Sequence, residues 1–130
     1  MTENRKKKYR DFRDLDVWQK CNAIKGKVWE LCKAYPAPEK YRLSDQMIRA
    51  SRSATACLAE GYGRFHYQEN IQFCRQARGS LYELIDHILV AMDCKYISSQ
   101  QADAMIEEIK EAIRLINGYI RYLKGRKDTS

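Results

Sequence analysis

Apolar residues recur along most of this chain at alternating steps of four and three, the interval that lays side chains along one face of a helix. Val17, Cys21, Ile24, Val28, Leu31 and Tyr35 form the first stripe. Pro36, which has no amide hydrogen and restricts the residue before it, ends that helix. A second stripe, Leu43, Met47, Ala50, Ala54, Cys57 and Gly61, follows the loop 36–41, with Ser44 as its expected N-cap. The third helix is predicted from about Tyr67 to Asp93. It carries two adjacent seams, Phe73, Ala77, Ser80, Leu84 and Ala91 beside Ile71, Cys74, Leu81, Ile85, Ile88 and Met92, which predicts burial on two sides. A fourth helix begins after Ser98, whose spacing to Gln101 matches a capping box, and presents Ala102, Ile106, Ile109, Ile113, Ile116, Ile120 and Leu123.

Helices of this kind, about 20 to 27 residues long, extend roughly 30 to 40 Å. The short links near 63–66 and 94–98 then force neighbours to run in opposite directions. The expected fold is all-α, an antiparallel up-down-up-down four-helix bundle over residues 11–123. A chain of 130 residues with 45% hydrophobic content fits one such core, and no second domain is expected.

The second helix departs from a simple amphipathic pattern. Ala50, Ser51, Ser53, Ala54, Thr55, Ala56 and Ala59 make it small almost all the way round. Extra small or apolar faces beyond the one a bundle must bury predict neighbouring subunits, against the simpler reading of alanine chosen for helix propensity. The helix closes on Ala59-Glu60-Gly61-Tyr62-Gly63-Arg64. Glycine inside a helix costs about 1 kcal/mol relative to alanine, so Gly61 predicts close approach of another backbone. Gly63 is expected as a left-handed C-terminal cap.

Charge is concentrated at the two ends. Residues 1–10, read as a basic flexible arm, and 124–130, read as a basic tail, carry +6 of the net +7. Arg5, Lys6, Lys7, Lys8, Arg10, Arg121, Lys124, Arg126 and Lys127 are therefore the candidate contacts to a nucleic-acid phosphate backbone, with Tyr119 and Tyr122 interleaved as stacking surfaces. The competing reading is a set of solvated tails, the last of them placing cations at the negative end of a helix dipole. No base-reading module is recognisable, so sequence specificity is not expected. The segment Met1–Lys8 lacks the apolar stretch of a signal peptide, and the apolar runs are too short to span a bilayer. The cytoplasm is the expected setting and no membrane partner is expected.

Five cysteines, Cys21, Cys32, Cys57, Cys74 and Cys94, stand 11 to 25 residues apart with no Cys-x-x-Cys pair. They do not read as a zinc or disulfide framework; Cys21, Cys32, Cys57 and Cys74 fall on or beside the apolar stripes and read as buried thiols. Catalysis has little to draw on. The only histidines are His66 and His87, and no glycine-rich phosphate loop or nucleophile elbow is present. Glu83, Asp86 and His87 resemble one half of a di-metal helical-bundle site, but the paired Glu-x-x-His motifs of such enzymes are missing. The expectation is a non-enzyme without a cofactor or bound metal.

Taken in order, several blocks spell a resemblance. They are Phe12, Leu15, Val17-Trp18-Gln19, Tyr35-Pro36 with Glu39, Tyr41, Leu43 and Gln46, Arg49-Ala50, Ala59-Glu60-Gly61, Gly63-Arg64, Phe73, Ala77, Gly79-Ser80-Leu81 and Glu83. Over about residues 11 to 123 the chain resembles the bacterial four-helix bundle proteins encoded in intervening sequences of 23S ribosomal RNA genes. The same superfamily includes the accessory variability proteins of diversity-generating retroelements. Cys57-Leu58 stands where that family more often has Asn-Ile. The resemblance implies a non-enzymatic homopentamer, with RNA or DNA and, in the retroelement branch, a reverse transcriptase as partners. It gives Gln46, Arg49, Glu60, Gly61, Arg64, Gly79, Ser80 and Glu83 the role of interhelical or intersubunit contacts that fix register. The alternative function is a protein-interaction scaffold without direct nucleic-acid binding.

Overall fold

The computed structural model describes residues 10–129; the candidate contacts Arg5, Lys6, Lys7 and Lys8 lie outside them. After a 3-10 turn at Phe12–Asp14 the chain forms α1 (Asp16–Lys33), a second 3-10 turn (Ala37–Tyr41), α2 (Leu43–Gly63), α3 (Tyr67–Asp93) and α4 (Ser99–Thr129). Each helix packs on the next in sequence, and α4 returns to α1 to close a four-helix bundle. Among the described residues there is no strand, and no helix is long and apolar enough to cross a membrane.

The apolar stripes converge on one core. Val17, Cys21, Ile24 and Val28 of α1 meet Met47, Ala54 and Leu58 of α2, the two seams of α3, and Ile109, Ile116 and Ile120 of α4. The α2 stripe differs from the heptad reading at one step. Leu58 is fully buried and Cys57 only half-buried, because a straight helix of 3.6 residues per turn drifts from a 3.5-residue repeat. On α4, Met105 and Ala112 join the buried row. Of the four cysteines expected as buried thiols, Cys21 and Cys74 are core residues and Cys32 and Cys57 are half-buried; Cys94 is exposed. Burial pushes the thiols of Cys21 and Cys74 up to about 12, so these two remain unreactive hydrophobes.

Three local expectations need correction. Ser44 does not cap α2. The helix starts at Leu43 with Arg42 as N-cap, and the Glu39 carboxylate accepts the Leu43 amide at 3.3 Å, leaving Ser44 buried. Gly63 is not left-handed. It completes α2, and Phe65 takes the positive φ of 63° that reverses the chain. Residues 124–129 are not a separate tail, since α4 continues through Thr129. The capping box is present as read, with Ser98 Oγ accepting from Gln101 N at 3.0 Å and Gln101 Oε1 from Ser98 N at 2.9 Å.

The small side chains of α2 serve two neighbours within the chain. Ser51 and Thr55 turn their hydroxyls back to the carbonyls of Ile48 and Arg52, so both are buried with their polar atoms satisfied. On the other side Ser53 Oγ bonds Ser80 Oγ of α3 at 2.9 Å. Further along that seam, a methyl on Gly61 would sit 2.7 Å from Asn70 Oδ1 and 2.8 Å from Phe73 Cβ. Gly61 is thus the close approach its helix-interior position predicted.

At the opposite end Tyr96 donates to Glu39 Oε2 at 2.6 Å and its ring rests 5.2 Å from that of Tyr35. This ties the α3–α4 link to the turn before α2. The Tyr96 hydrogen bond, with the Leu43 amide, holds the Glu39 carboxyl below its ordinary 4.5.

Two measurements follow from this packing. Gly61→Ala is expected to lower the free energy of unfolding by about 1–3 kcal/mol through overpacking, net of a propensity gain of about 1 kcal/mol. Gly79→Ala, where an added methyl meets nothing within 4 Å, is expected to raise it by about 1 kcal/mol. Urea unfolding of the pair tests this, and equal effects would remove the close approach as an explanation. A carboxylate whose folded-state pKa is lowered adds stability above its unfolded value and surrenders it as pH falls through the folded one. Tyr96→Phe is therefore expected to flatten the loss of stability on acidification below pH 4.5, measured by denaturation across a pH series.

Candidate functional site

At the end of the bundle holding the α2–α3 link, a groove of about 1050 Å³ opens between that link, the start of α1 and the later turns of α4. Its walls combine apolar surface from Leu115 and Leu123, the rings of Tyr62, Phe65, Tyr67, Tyr119 and Tyr122, and the guanidinium groups of Arg114 and Arg121. Asp16 is the carboxylate in its lining.

Helical spacing explains the α4 side. Tyr119 and Tyr122 stand three residues apart on one face, with rings nearly parallel at 9° and centroids 6.2 Å apart. One turn back is Gly118, where a methyl would lie 3.6 Å from Arg121 Nη2. The Arg121 guanidinium therefore lies back along the helix beside the tyrosines.

Tyr119 is held from beneath. The Asn70 side-chain amide donates to its hydroxyl at 3.3 Å, and Asn70 Oδ1 accepts from the Cys74 thiol at 3.6 Å. Asn70 is buried, and among the described residues no buried side-chain polar atom lacks a partner. Burial raises the Tyr119 hydroxyl above its ordinary 10, so it stays neutral across the physiological range.

The α2–α3 link is built around Arg64. It pairs with Glu60 at 2.8 Å, reaches Glu69 at 3.8 Å, and lies 5.1 Å from the centre of the Phe73 ring. The hydrogen bond to Glu60 raises its guanidinium pKa further, so it stays charged. Phe65 comes next. Its left-handed backbone costs an L-residue about 1–2 kcal/mol, and its ring is 88% exposed.

The basic residues of the carboxyl end are spread over this region. Arg121 and Lys124 are exposed on α4. Arg126 is hydrogen-bonded to the Tyr67 hydroxyl and Lys127 donates to Gln68 Oε1 at 2.7 Å, so both reach the first turn of α3. Arg10 is engaged as well, its guanidinium 3.1 Å from the buried carboxylate of Asp14. Leu15, five residues after Arg10, lines the groove, which brings both basic ends of the described chain to one pole.

The register set divides. Glu60, Gly61 and Arg64 gather beside the groove, and Ser80 joins α3 to α2 through Ser53. Arg49 instead pairs with Asp45 on its own helix at 3.7 Å, and Glu83 with His87 on its own helix at 3.1 Å. Gln46 and Gly79 are exposed. Within one chain these four bridge no helices, so an interhelical role for them is not seen. Among the described residues no three His, Cys, Asp or Glu side chains gather as a metal-ligand set.

The sequence reading missed Tyr62, Phe65, Tyr67, Asn70 and Arg114. A usable signal was present in Tyr62, Phe65 and Tyr67, three aromatics in and immediately beside the predicted link near 63–66, which has little core to fill.

A protein-family model described as 23S rRNA-intervening sequence protein matches residues 13–118, well over half of the chain. No curated protein matches the chain.

The hydrogen bond under the groove can be tested by paired variants. Tyr119→Phe leaves the buried Asn70 amide without its acceptor and is expected to cost about 1–3 kcal/mol of stability. Tyr122→Phe, at an exposed hydroxyl, is expected to stay within about 0.5 kcal/mol of the parent in urea unfolding.

Proposed function

The chain belongs to the 23S rRNA-intervening sequence protein family, and from that premise we propose that it is a non-enzymatic, homo-oligomeric accessory protein that binds nucleic acid at the groove end of the bundle. The observation that carries the reading is that Arg121 and the stacked Tyr119 and Tyr122 line one groove, with Lys124 exposed one turn after Arg121. Cations displace counterions from a phosphate backbone, which makes binding favourable and salt-dependent. Carrying those cations on a folded helix lowers the ordering entropy that a flexible tail would lose on binding. Of the carboxylates nearby, Glu60 and Glu69 are both drawn to Arg64, which offsets one of their two charges.

The same proposal includes an antiparallel up-down-up-down path. Its support is the descending order of partners across helices, Ser53 with Ser80 and Cys57 with Gln76, then Gln68 with Lys127 and Arg78 with Asn117. It also includes assembly of copies through exposed apolar residues of α3 such as Tyr82, Leu89 and Val90, the pentamer being the number the family resemblance implies. We place the protein in the cytoplasm, whose reducing conditions keep its five free thiols as they stand. A protein scaffold is the second reading, favoured by the same exposed α3 residues. A reverse transcriptase belongs among its candidate partners.

Light scattering combined with a salt titration of binding to a structured RNA and to duplex DNA tests the proposal. The expected result is an oligomer whose affinity falls steeply with salt. In the Arg121→Ala, Lys124→Ala double variant the log–log slope should become shallower by about 1–2, one phosphate contact per lost cation. Absence of binding by the parent protein at low salt would overturn nucleic-acid binding and leave the scaffold.

A further inference from the structure

Resting on that reading, we propose that the groove holds an unpaired nucleobase against Phe65, so that its ligand is single-stranded nucleic acid in preference to duplex. Phe65 is the starting point. Its backbone is left-handed with φ of 63°, and its ring is 88% exposed at the mouth of the groove. Neither packing nor conformational preference favours a phenylalanine there, and a glycine or asparagine would satisfy the turn with less strain. A flat ligand covering the ring is the use that explains the residue.

Lining the same groove are the nearly parallel rings of Tyr119 and Tyr122, with Tyr62 and Tyr67 completing the aromatic lining. Tyr119 is pinned by the buried Asn70 amide, so part of this platform is preorganised. The volume, about 1050 Å³, lies at the top of the range that holds compact ligands, and has room for one or two nucleotides. Among the described residues Arg121 and Arg114, the latter also paired with Glu107 at 3.5 Å, line the same groove with Asp16 as its one carboxylate, and Lys124 is exposed on the same helix. That balance complements a polyanion better than it would an apolar peptide.

Strandedness follows from what an aromatic ring can reach. In a duplex, both faces of each base are covered by its neighbours, and an aromatic ring can only edge past them by breaking the stack. In a single strand those faces are available, and stacking accepts any base because every base has a π face. The groove should therefore discriminate by strandedness and little by sequence.

The test uses the full-length protein with an oligouridine of about 12 nucleotides, a matched strand carrying one 2-aminopurine, and a duplex of the same length. Phe65→Asn keeps a residue tolerant of the left-handed turn while deleting the ring, so the fold is expected to survive, checked by thermal unfolding. The expected result is a loss of about ten-fold in single-strand affinity with duplex affinity unchanged and the 2-aminopurine quench reduced. Phe65→Trp should retain both affinity and quench. A Phe65→Asn protein that is folded and binds the single strand as well as the parent would overturn base stacking, while loss of affinity in the Arg121→Ala, Lys124→Ala variant would keep phosphate binding intact. A parent protein that binds neither probe at low salt would overturn both readings together.

Discussion

At Gly61 the α2 backbone lies so close to α3 that one added methyl group would collide with Asn70 and Phe73. Much of the groove end of the molecule depends on that approach. It places Phe73 where the Arg64 guanidinium can lie 5.1 Å from its ring centre, and Arg64 in turn gathers Glu60 and Glu69 across the link between the helices. It leaves Asn70 buried, with its amide turned to Tyr119 on α4 and its oxygen to Cys74. A larger residue at Gly61 would have to separate α2 from α3, and that separation would move the link and the support of Tyr119 together.

The two ends of the bundle are finished by different physics. At one, Tyr96 and Glu39 join two connections by a short hydrogen bond, and the Tyr35 ring packs against Tyr96 at a tilt of 38°, so the connections are tied to one another. At the other, exposed aromatic rings and cations surround an open groove. Lys127 and Arg126 bind back to the first turn of α3, which makes the end of α4 part of the wall of the site. Charge that looks like a flexible tail in composition is thereby held at defined positions.

The α1–α4 seam has a different character again. Lys20 meets Glu111 at 2.9 Å and Lys27 pairs with Glu108, so ion pairs border the small apolar contact between these helices. Lys20 holds the Glu111 carboxyl below its usual range. Exposed pairs of this kind contribute about 0–1 kcal/mol each. They select a register more than they stabilise the fold.

The helix set was legible because burial on a helix needs only a period, and the period is written in residue order. Val17 to Val28, Ile71 to Ile88 and Ile109 to Leu123 reach the core as their spacing requires, and Ser98 with Gln101 forms its capping box because both partners lie within one turn. Gly61 was legible as well, since a glycine inside a helix needs a neighbour to justify it. The α2 cap was not. Its acceptor, Glu39, belongs to the preceding turn and is oriented by Tyr96, 57 residues away. Nor was the reversal at Phe65, where the presence of Gly63 pointed to the wrong residue. The groove lay furthest from sequence. Phe65, Asn70, Arg121 and Leu15 share no spacing rule, and they meet because the end of α2 and the starts of α1 and α3 are packed with the later turns of α4 at one pole. The sequence by itself determined which faces are buried, through local periodicity; tertiary structure alone decided which exposed groups face one another, because that depends on how the helices are placed against each other in space.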